Sequence, residues 1–168
     1  MITKENIEYN LAQINRLYNK SRAPRHALYF PKLATLELCG WIEESMDDIV
    51  QWCSDNYLFD PNNIDFVKSQ VIKRTYGFDY NSDFRNMLMR VIGIINLEQL
   101  ENNLDNNKFL AMKSSLDTLK GCRDSEAHTY TKGVTMTVLA PSVAIQLFRN
   151  VYLGLKEVEK CLFELYAQ

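Results

Sequence analysis

Apolar residues recur every three or four positions along most of the chain, and this periodicity constrains the fold most strongly. In the C-terminal stretch the apolar residues alternate by four and three: Ala144, Phe148, Val151, Leu155, Val158, Leu162 and Leu165. Residues with this spacing lie on one face of an α-helix. They predict a long C-terminal helix that packs against one other helix at a shallow angle.

A second long helix is predicted from about Arg25 to Tyr57. Because the apolar residues of this segment cover several sides, we expect the helix to lie at the centre of the fold. Residues 21–24 (SRAP) and 60–63 (DPNN) interrupt the helical pattern on either side of it. Asn63 is the predicted cap of the helix that follows.

The remaining segments also have a helical pattern, and the chain contains only 6 glycines and 4 prolines. Further helices are predicted over residues 63–76, 84–91, 97–104 and from Asn106 towards His128. Residues 131–141, rich in β-branched side chains, are predicted to form a loop or a short extended piece. The predicted fold class is all-α, a compact helical bundle with long second and C-terminal helices in which residues 1–168 form a single domain.

Composition limits the partners and the compartment. The net charge of -2 provides no global basic field, so nucleic acid would have to bind at a local patch. The scattered cysteines form no C-x-x-C pair, which indicates reduced thiols in a cytoplasmic protein. The polar N-terminus does not have the pattern of a signal peptide, and no apolar run is long enough to cross a bilayer. We therefore expect a cytoplasmic protein that has no membrane partner.

The sequence lacks the usual metal-binding patterns. A bundle that binds two metals places a glutamate three residues before a histidine on two helices, whereas His26 and His128 have an alanine and a serine there. The acidic stretch at residues 43–48 (EESMDD) spaces its carboxylates four positions apart. It is predicted to be a solvated helix edge rather than a cation site. Neither a metal nor a cofactor is expected.

Three carboxylates of the predicted second helix flank Trp41 on one stripe of an otherwise apolar element: Glu37, Glu44 and Asp48. Charged groups beside a hydrophobic core need partners. We expect these groups to pair with arginines across the bundle. The alternative is that they tune a catalytic group.

The stretch RDSEAH, residues 123–128, carries the most specific chemistry in the chain. Either Arg123 and His128 act together on a substrate, or they are two polar residues on an ordinary helix. Residues five apart on an ideal helix point about 140° away from each other. The two side chains therefore converge only if the helix is distorted near Thr129, or if a two-fold partner brings a second pair into the same cleft.

RDSEAH resembles the R-x4-6-H motif of HEPN-domain ribonucleases, in which a polar residue commonly follows the arginine, as Asp124 does here. The context is similar over most of the chain. A late helix leads into Arg123 and another helix follows, and residues 25–30 (RHALYF) with the LELCGWIEESMDDI stretch resemble the second helix of some HEPN subfamilies. The resemblance implies a HEPN-like helical bundle.

The resemblance also implies an activity, that of an endoribonuclease that works as a homodimer without metal or cofactor. It would cut single-stranded or loop RNA, tRNA among the candidates, and leave a 2′,3′-cyclic phosphate. His128 would act as general base or acid, Arg123 would hold the phosphate, and Asp124 would orient a neighbouring group. The implied substrate-binding residues are Lys120, Thr129, Tyr130 and Lys132.

Such a nuclease would suit a toxin or an antiphage defence effector that a cognate inhibitor or antitoxin restrains. The alternative is a catalytically inactive HEPN-like module that dimerises or acts as a scaffold through its heptad-like C-terminal helix. A third interpretation is an unrelated helical bundle, in which Arg123 pairs with Glu37 or Glu44 and His128 caps a helix.

Overall fold

Long helices make up nearly all of the fold. The computed structural model describes residues 2–23, 26–127 and 138–167, but not the side chains of residues 27 and 125–127. The described residues contain no strand, and they form six α-helices: α1 (Glu5–Lys20), α2 (His26–Tyr57), α3 (Pro61–Phe66), α4 (Arg85–Asn103), α5 (Asn106–Ala127) and α6 (Pro141–Tyr166). With 32 residues in α2 and 26 in α6, the predicted all-α bundle with long second and C-terminal helices is confirmed.

Short irregular turns join α3 to α4. The helix of α3 continues through a π-helical turn, Val67–Val71, into a 3₁₀ turn, Ile72–Arg74. A second π-helical turn, Tyr80–Phe84, leads into α4. Such turns adjust the direction of a helix by inserting or removing a residue relative to the α-helical repeat.

The central position predicted for α2 is confirmed, because α1, α4, α5 and α6 all pack against it. Helix α6 runs in the same direction as α2, since Trp41 lies 5.1 Å from Phe148 and Trp52 lies 4.6 Å from Phe163 between ring centroids. Helix α5 runs antiparallel to α6, because Lys108 binds Glu157 and Ser115 binds Asn150. The C-terminal end of α5 lies against the middle of α2, where Arg123 binds Glu43.

The single packing partner predicted for α6 was wrong. Helix α6 packs most extensively on α5 and also contacts α1, α2 and α4. Its four-three stripe is buried from Ala144 to Leu162 inside one continuous hydrophobic cluster. Gly154 lets α5 approach closely, because a Cβ atom at this position would collide with the side chain of Met112.

One predicted helix boundary, the start of α3, differs from the structure. Asp60, not Asn63, caps α3: its side chain accepts the backbone N–H of Asn62 at 2.9 Å, and Pro61 occupies the first turn. The two helices predicted at residues 84–91 and 97–104 correspond to the two helical stretches of α4, which are separated by a non-helical backbone at Gly93, where φ is 78°. Glycine adopts this backbone conformation without the steric cost that a side chain brings. Among the described helices, none is both long and apolar enough to span a bilayer.

Candidate functional site

Arg123 lies near the C-terminal end of α5 and reaches across to α2. Its Nη1 donates to Glu43 Oε1 at 2.5 Å, and its Nε lies 3.6 Å from Asp124 Oδ1. The Arg123 side chain is 27% exposed. The third sequence interpretation had the wrong partner, because it paired Arg123 with Glu37 or Glu44, whereas the structure pairs it with Glu43.

The aromatic ring of Phe78 packs against the guanidinium of Arg123. The guanidinium carbon lies 4.8 Å from the centroid of the Phe78 ring, within the range of a cation–π contact. Phe78 itself is 2% exposed and belongs to the hydrophobic core. The Glu43 carboxylate and the buried Phe78 ring therefore together fix the position of the Arg123 guanidinium.

The loop that carries Phe78 depends on Gly77. Its φ is 146°, and a Cβ atom placed there would lie 2.6 Å from Asp83 Oδ2. Asp83 Oδ2 also accepts the backbone N–H of Asp79 at 2.9 Å. The carboxylate of Asp83 therefore joins the end of this loop to Asp79 near its start. A side chain at position 77 would displace this carboxylate.

Lys120 lies one turn before Arg123, and its Nζ is 3.2 Å from Asp79 Oδ2. Asp79 also caps the turn that leads into α4, because its Oδ1 accepts the backbone N–H of Ser82 at 2.8 Å. The Ser82 N–H, followed by Lys120, lowers the pKa of Asp79 against the opposing effect of burial. Lys120, predicted to bind substrate, is thus half-exposed and paired with a carboxylate.

Asp47 lies one turn after Glu43 on α2. Burial and then the negative charges of Glu43, Asp48 and Glu44 raise the pKa of Asp47 to about 6. The solvated edge predicted for the EESMDD stretch therefore applies to Glu44 and Asp48, which are exposed, whereas Glu43 and Asp47 are half-buried.

Among the residues that the structure describes, Glu37, Glu44 and Asp48 have none of the expected arginine partners. These side chains are exposed, and none of them forms an ion pair within the described part of the chain. Glu37 accepts a hydrogen bond from Asn10 Nδ2 at 3.4 Å. Within residues 2–23, 26–127 and 138–167, no group of three or more His, Cys, Asp or Glu side chains is placed to hold a metal ion.

Three of the predicted site residues lie together in the structure, namely Lys120, Arg123 and Asp124 at the end of α5. The other four lie outside the described residues: His128, Thr129, Tyr130 and Lys132. Glu43 and Phe78 were not predicted from the sequence as partners of Arg123. A signal for Glu43 was present, because it continues a four-three stripe that begins at Tyr29 and is otherwise apolar or small up to Gly40.

Comparison with protein-family models, curated proteins and solved structures finds no significant match to this chain.

Proposed function

We propose that the chain is a metal-independent endoribonuclease in which Arg123 binds the scissile phosphate. The observation that carries the proposal is the geometry of Arg123, which Glu43 and Phe78 hold at the end of α5, five positions before His128. A catalytic cation is most effective when its own surroundings fix its orientation before substrate binds. Glu43 engages Nη1, and the guanidinium has five N–H donors, so further donors remain for phosphate oxygens.

His128 would carry out the proton transfers. An imidazole titrates near neutral pH, so it can take a proton and return it. As general base it would take the proton of the ribose 2′-hydroxyl, whose oxygen then attacks phosphorus. The bond to the 5′-oxygen breaks, and this oxygen leaves with a proton, so that one product ends in a 2′,3′-cyclic phosphate and the other in a 5′-hydroxyl. Asp124, which is exposed beside Arg123, would orient a neighbouring group.

RNA with unpaired nucleotides, tRNA loops included, is the proposed substrate. Thr129, Tyr130 and Lys132 would contact phosphates or stack on bases close to His128. The Lys120 ammonium would contribute charge at the edge of the site, where it is 44% exposed while paired with Asp79.

A second copy of the chain is the proposed partner, and the surface of α2 supports it. Tyr29, Leu33 and Leu36 are exposed at spacings of four and three, and Gly40 continues this stripe with open space around it. Glu43 lies one turn further along the same helix. A dimer formed on the α2 stripe would therefore bring two copies of the Arg123 site into proximity.

The proposed setting is cytoplasmic, which rests on the scattered cysteines of the sequence. A toxin or antiphage defence effector of this kind would need a cognate inhibitor or antitoxin, because uncontrolled RNA cleavage harms the cell that makes it.

A catalytically inactive HEPN-like dimerisation or scaffold module is the second candidate. It is favoured by the close Arg123–Glu43 ion pair, in which the positive charge is already compensated. Such a module would dimerise through α2 rather than α6, because the four-three stripe of α6 is buried in the core.

Incubation of purified protein with total RNA and with tRNA in EDTA distinguishes the two candidates. Wild type should cleave, whereas Arg123→Ala and His128→Ala should not, provided that all three have the same circular dichroism and oligomeric state. Arg16→Ala is the matched control, because Arg16 is an exposed arginine of α1. Absence of cleavage by wild type at high concentration would favour the inactive module. Equal cleavage by all variants would contradict the assignment of the site.

A further inference from the structure

One surface of the chain is basic although the whole chain is slightly acidic. Residues 66–76 contain Lys68, Lys73 and Arg74 and no acidic residue, whereas the chain has a net charge of -2. Arg90 on α4 joins them, because its Nη1 donates to the backbone carbonyl of Gln70 at 3.2 Å. The nearest acidic residues in the sequence are Asp65, directly before the segment, and Asp79, three residues after Tyr76.

Two aromatic side chains stand out from the same surface. Tyr76 is 87% exposed and Phe66 is 51% exposed. The buried side chains of Val67 and Val71 hold the intervening helical turns against the core. Lys73 and Arg74 are also exposed, and they lie between the two rings in the chain, with Tyr76 two residues after Arg74.

Lys68, Lys73 and Arg74 form no ion pair with any residue that the structure describes, whereas several other cations do: Arg85 binds Glu101, Lys108 binds Glu157 and Lys120 binds Asp79. The segment 67–71 is also a π-helical turn, a feature that occurs frequently at functional sites. Charge and exposed aromatic surface are thus both available to a ligand.

Cations combined with exposed aromatic rings match the chemistry of a single-stranded nucleic acid. Its phosphates bind Lys and Arg, and its unpaired bases stack on aromatic rings. A duplex would use the cations and leave the rings without partners, because its bases are already stacked.

The surface also leads to the candidate site. Tyr76 lies two residues before Phe78, and the ring of Phe78 lies beneath the Arg123 guanidinium at 4.8 Å. A strand that stacks on Tyr76 therefore has a short path to Arg123.

We propose that a basic–aromatic surface binds single-stranded RNA and directs it to Arg123. The surface consists of Phe66, Lys73, Arg74, Tyr76 and Arg90. The direction of the strand rests on the proposed nuclease function, but RNA binding by the surface can be measured separately from cleavage.

The test is fluorescence anisotropy of a labelled oligouridylate with 2′-O-methyl sugars, which attack by a 2′-hydroxyl cannot cleave. Lys73→Ala/Arg74→Ala should weaken binding and reduce the slope of log affinity against log salt by about 1.4, because each cation that binds a phosphate of a single strand contributes about 0.7 to the slope. Tyr76→Ala should weaken binding roughly tenfold with an unchanged slope, and Tyr76→Phe should restore it.

Arg16→Ala/Lys20→Ala is the control, because it removes the same charge from exposed positions of α1. Its salt slope should match that of wild type. Absence of binding by wild type, or an equal loss in the control and in Lys73→Ala/Arg74→Ala, would overturn the proposal. Equal affinity for duplex RNA with no effect of Tyr76→Ala would also overturn it.

Anionic membrane is the competing ligand, since Ile94 and Ile95 on α4 are exposed by 53% and 72%. Sedimentation with phosphatidylserine vesicles should show no dependence on Lys73 and Arg74. Vesicle binding that requires these residues, without RNA binding, would replace RNA with membrane as the ligand.

A parallel cleavage assay with unmodified RNA tests the proposed nuclease function separately from RNA binding by the surface. If the surface variants weaken RNA binding but wild type does not cleave RNA, the proposed nuclease function is contradicted and the proposed RNA-binding surface is retained. If wild type cleaves RNA but no surface variant changes RNA binding, the proposed surface is contradicted and the nuclease function is retained.

Discussion

Arg123 on α5 and Glu43 on α2 lie 80 positions apart in the chain and form a hydrogen-bonded ion pair of 2.5 Å. The two side chains are 27% and 40% exposed, so their pairing stabilises the fold by at most about 1 kcal/mol. The ion pair has a stronger effect on geometry, because Glu43 fixes one edge of the Arg123 guanidinium, whose face packs on the buried Phe78 ring. Arg123 is thereby held in one position at the end of a helix.

Glu43→Gln should separate orientation from stability. We expect the free energy of unfolding to change by less than about 1 kcal/mol, because the pair is partly solvated. We expect kcat for RNA cleavage to fall roughly tenfold or more, since Arg123 loses its charged partner. Urea unfolding and single-turnover kinetics measure the two quantities. Glu44→Gln is the control, because Glu44 is exposed and forms no ion pair with a described residue. Equal kinetics in both variants would show that Glu43 does not position Arg123.

Asp47 should make the protein less stable as pH rises. The pKa of this carboxyl is raised from 3.8 to about 6 in the folded state, so the folded state binds more protons than the unfolded state between these values. The free energy of unfolding therefore falls as pH increases through this window, and the full loss is reached above the folded pKa.

Asp47→Asn removes this effect. It should raise the free energy of unfolding at neutral pH by about 2 kcal/mol, since partial exposure of Asp47 to solvent reduces the roughly 3 kcal/mol that the pKa change corresponds to, and it should change this free energy little below a pH of about 4. Urea unfolding across this range measures the difference. The Asp117→Asn variant should retain the pH dependence of wild type, because Asp117 is exposed on α5 and is not among the groups whose charge raises the pKa of Asp47. A parallel pH dependence for Asp47→Asn and wild type would contradict the raised pKa.

Gly154→Ala should destabilise the contact between α5 and α6. The added methyl group collides with Met112, and overpacking of this kind costs about 1–3 kcal/mol. Gly121→Ala is the matched control in α5, because a Cβ atom there has nothing within 4 Å. This control should stabilise the helix by about 0.5–1 kcal/mol. Chemical denaturation gives the free energy of unfolding of both variants. Equal destabilisation by the two substitutions would contradict the close packing of Gly154 against Met112.

Local sequence patterns predicted much of the fold. The apolar repeat of α6 and the apolar content of α2 identified both long helices, because one face or several faces of a helix must be buried. The periodicity of apolar residues does not indicate how many helices pack against a helix. The sequence therefore predicted one packing partner for α6, whereas the structure has several. The separation of residues 84–91 and 97–104 into two helices was also predicted, and the backbone leaves the helical conformation between them at Gly93.

The candidate site was predicted only in part. The stretch at residues 123–128 identified Arg123 and Asp124 from the sequence, but neither partner of Arg123 lies near it in the chain. Glu43 was assigned to a solvated edge, and Phe78 lies between the helices predicted at residues 63–76 and 84–91. Only the tertiary packing brings both residues to Arg123. Long-range polar contacts depend on how helices are rotated against each other, which a single sequence does not specify.

The most direct test of the central claim is the end chemistry of RNA cut by wild type in EDTA. The proposed attack by a 2′-hydroxyl predicts that 5′-fragments end in a 2′,3′-cyclic phosphate, that DNA of the same sequence stays intact, and that Arg123→Ala and His128→Ala yield no fragments. Fragments that end in a 3′-hydroxyl, or fragments of unchanged amount in both variants, would contradict the assignment of Arg123 and His128 as the catalytic pair.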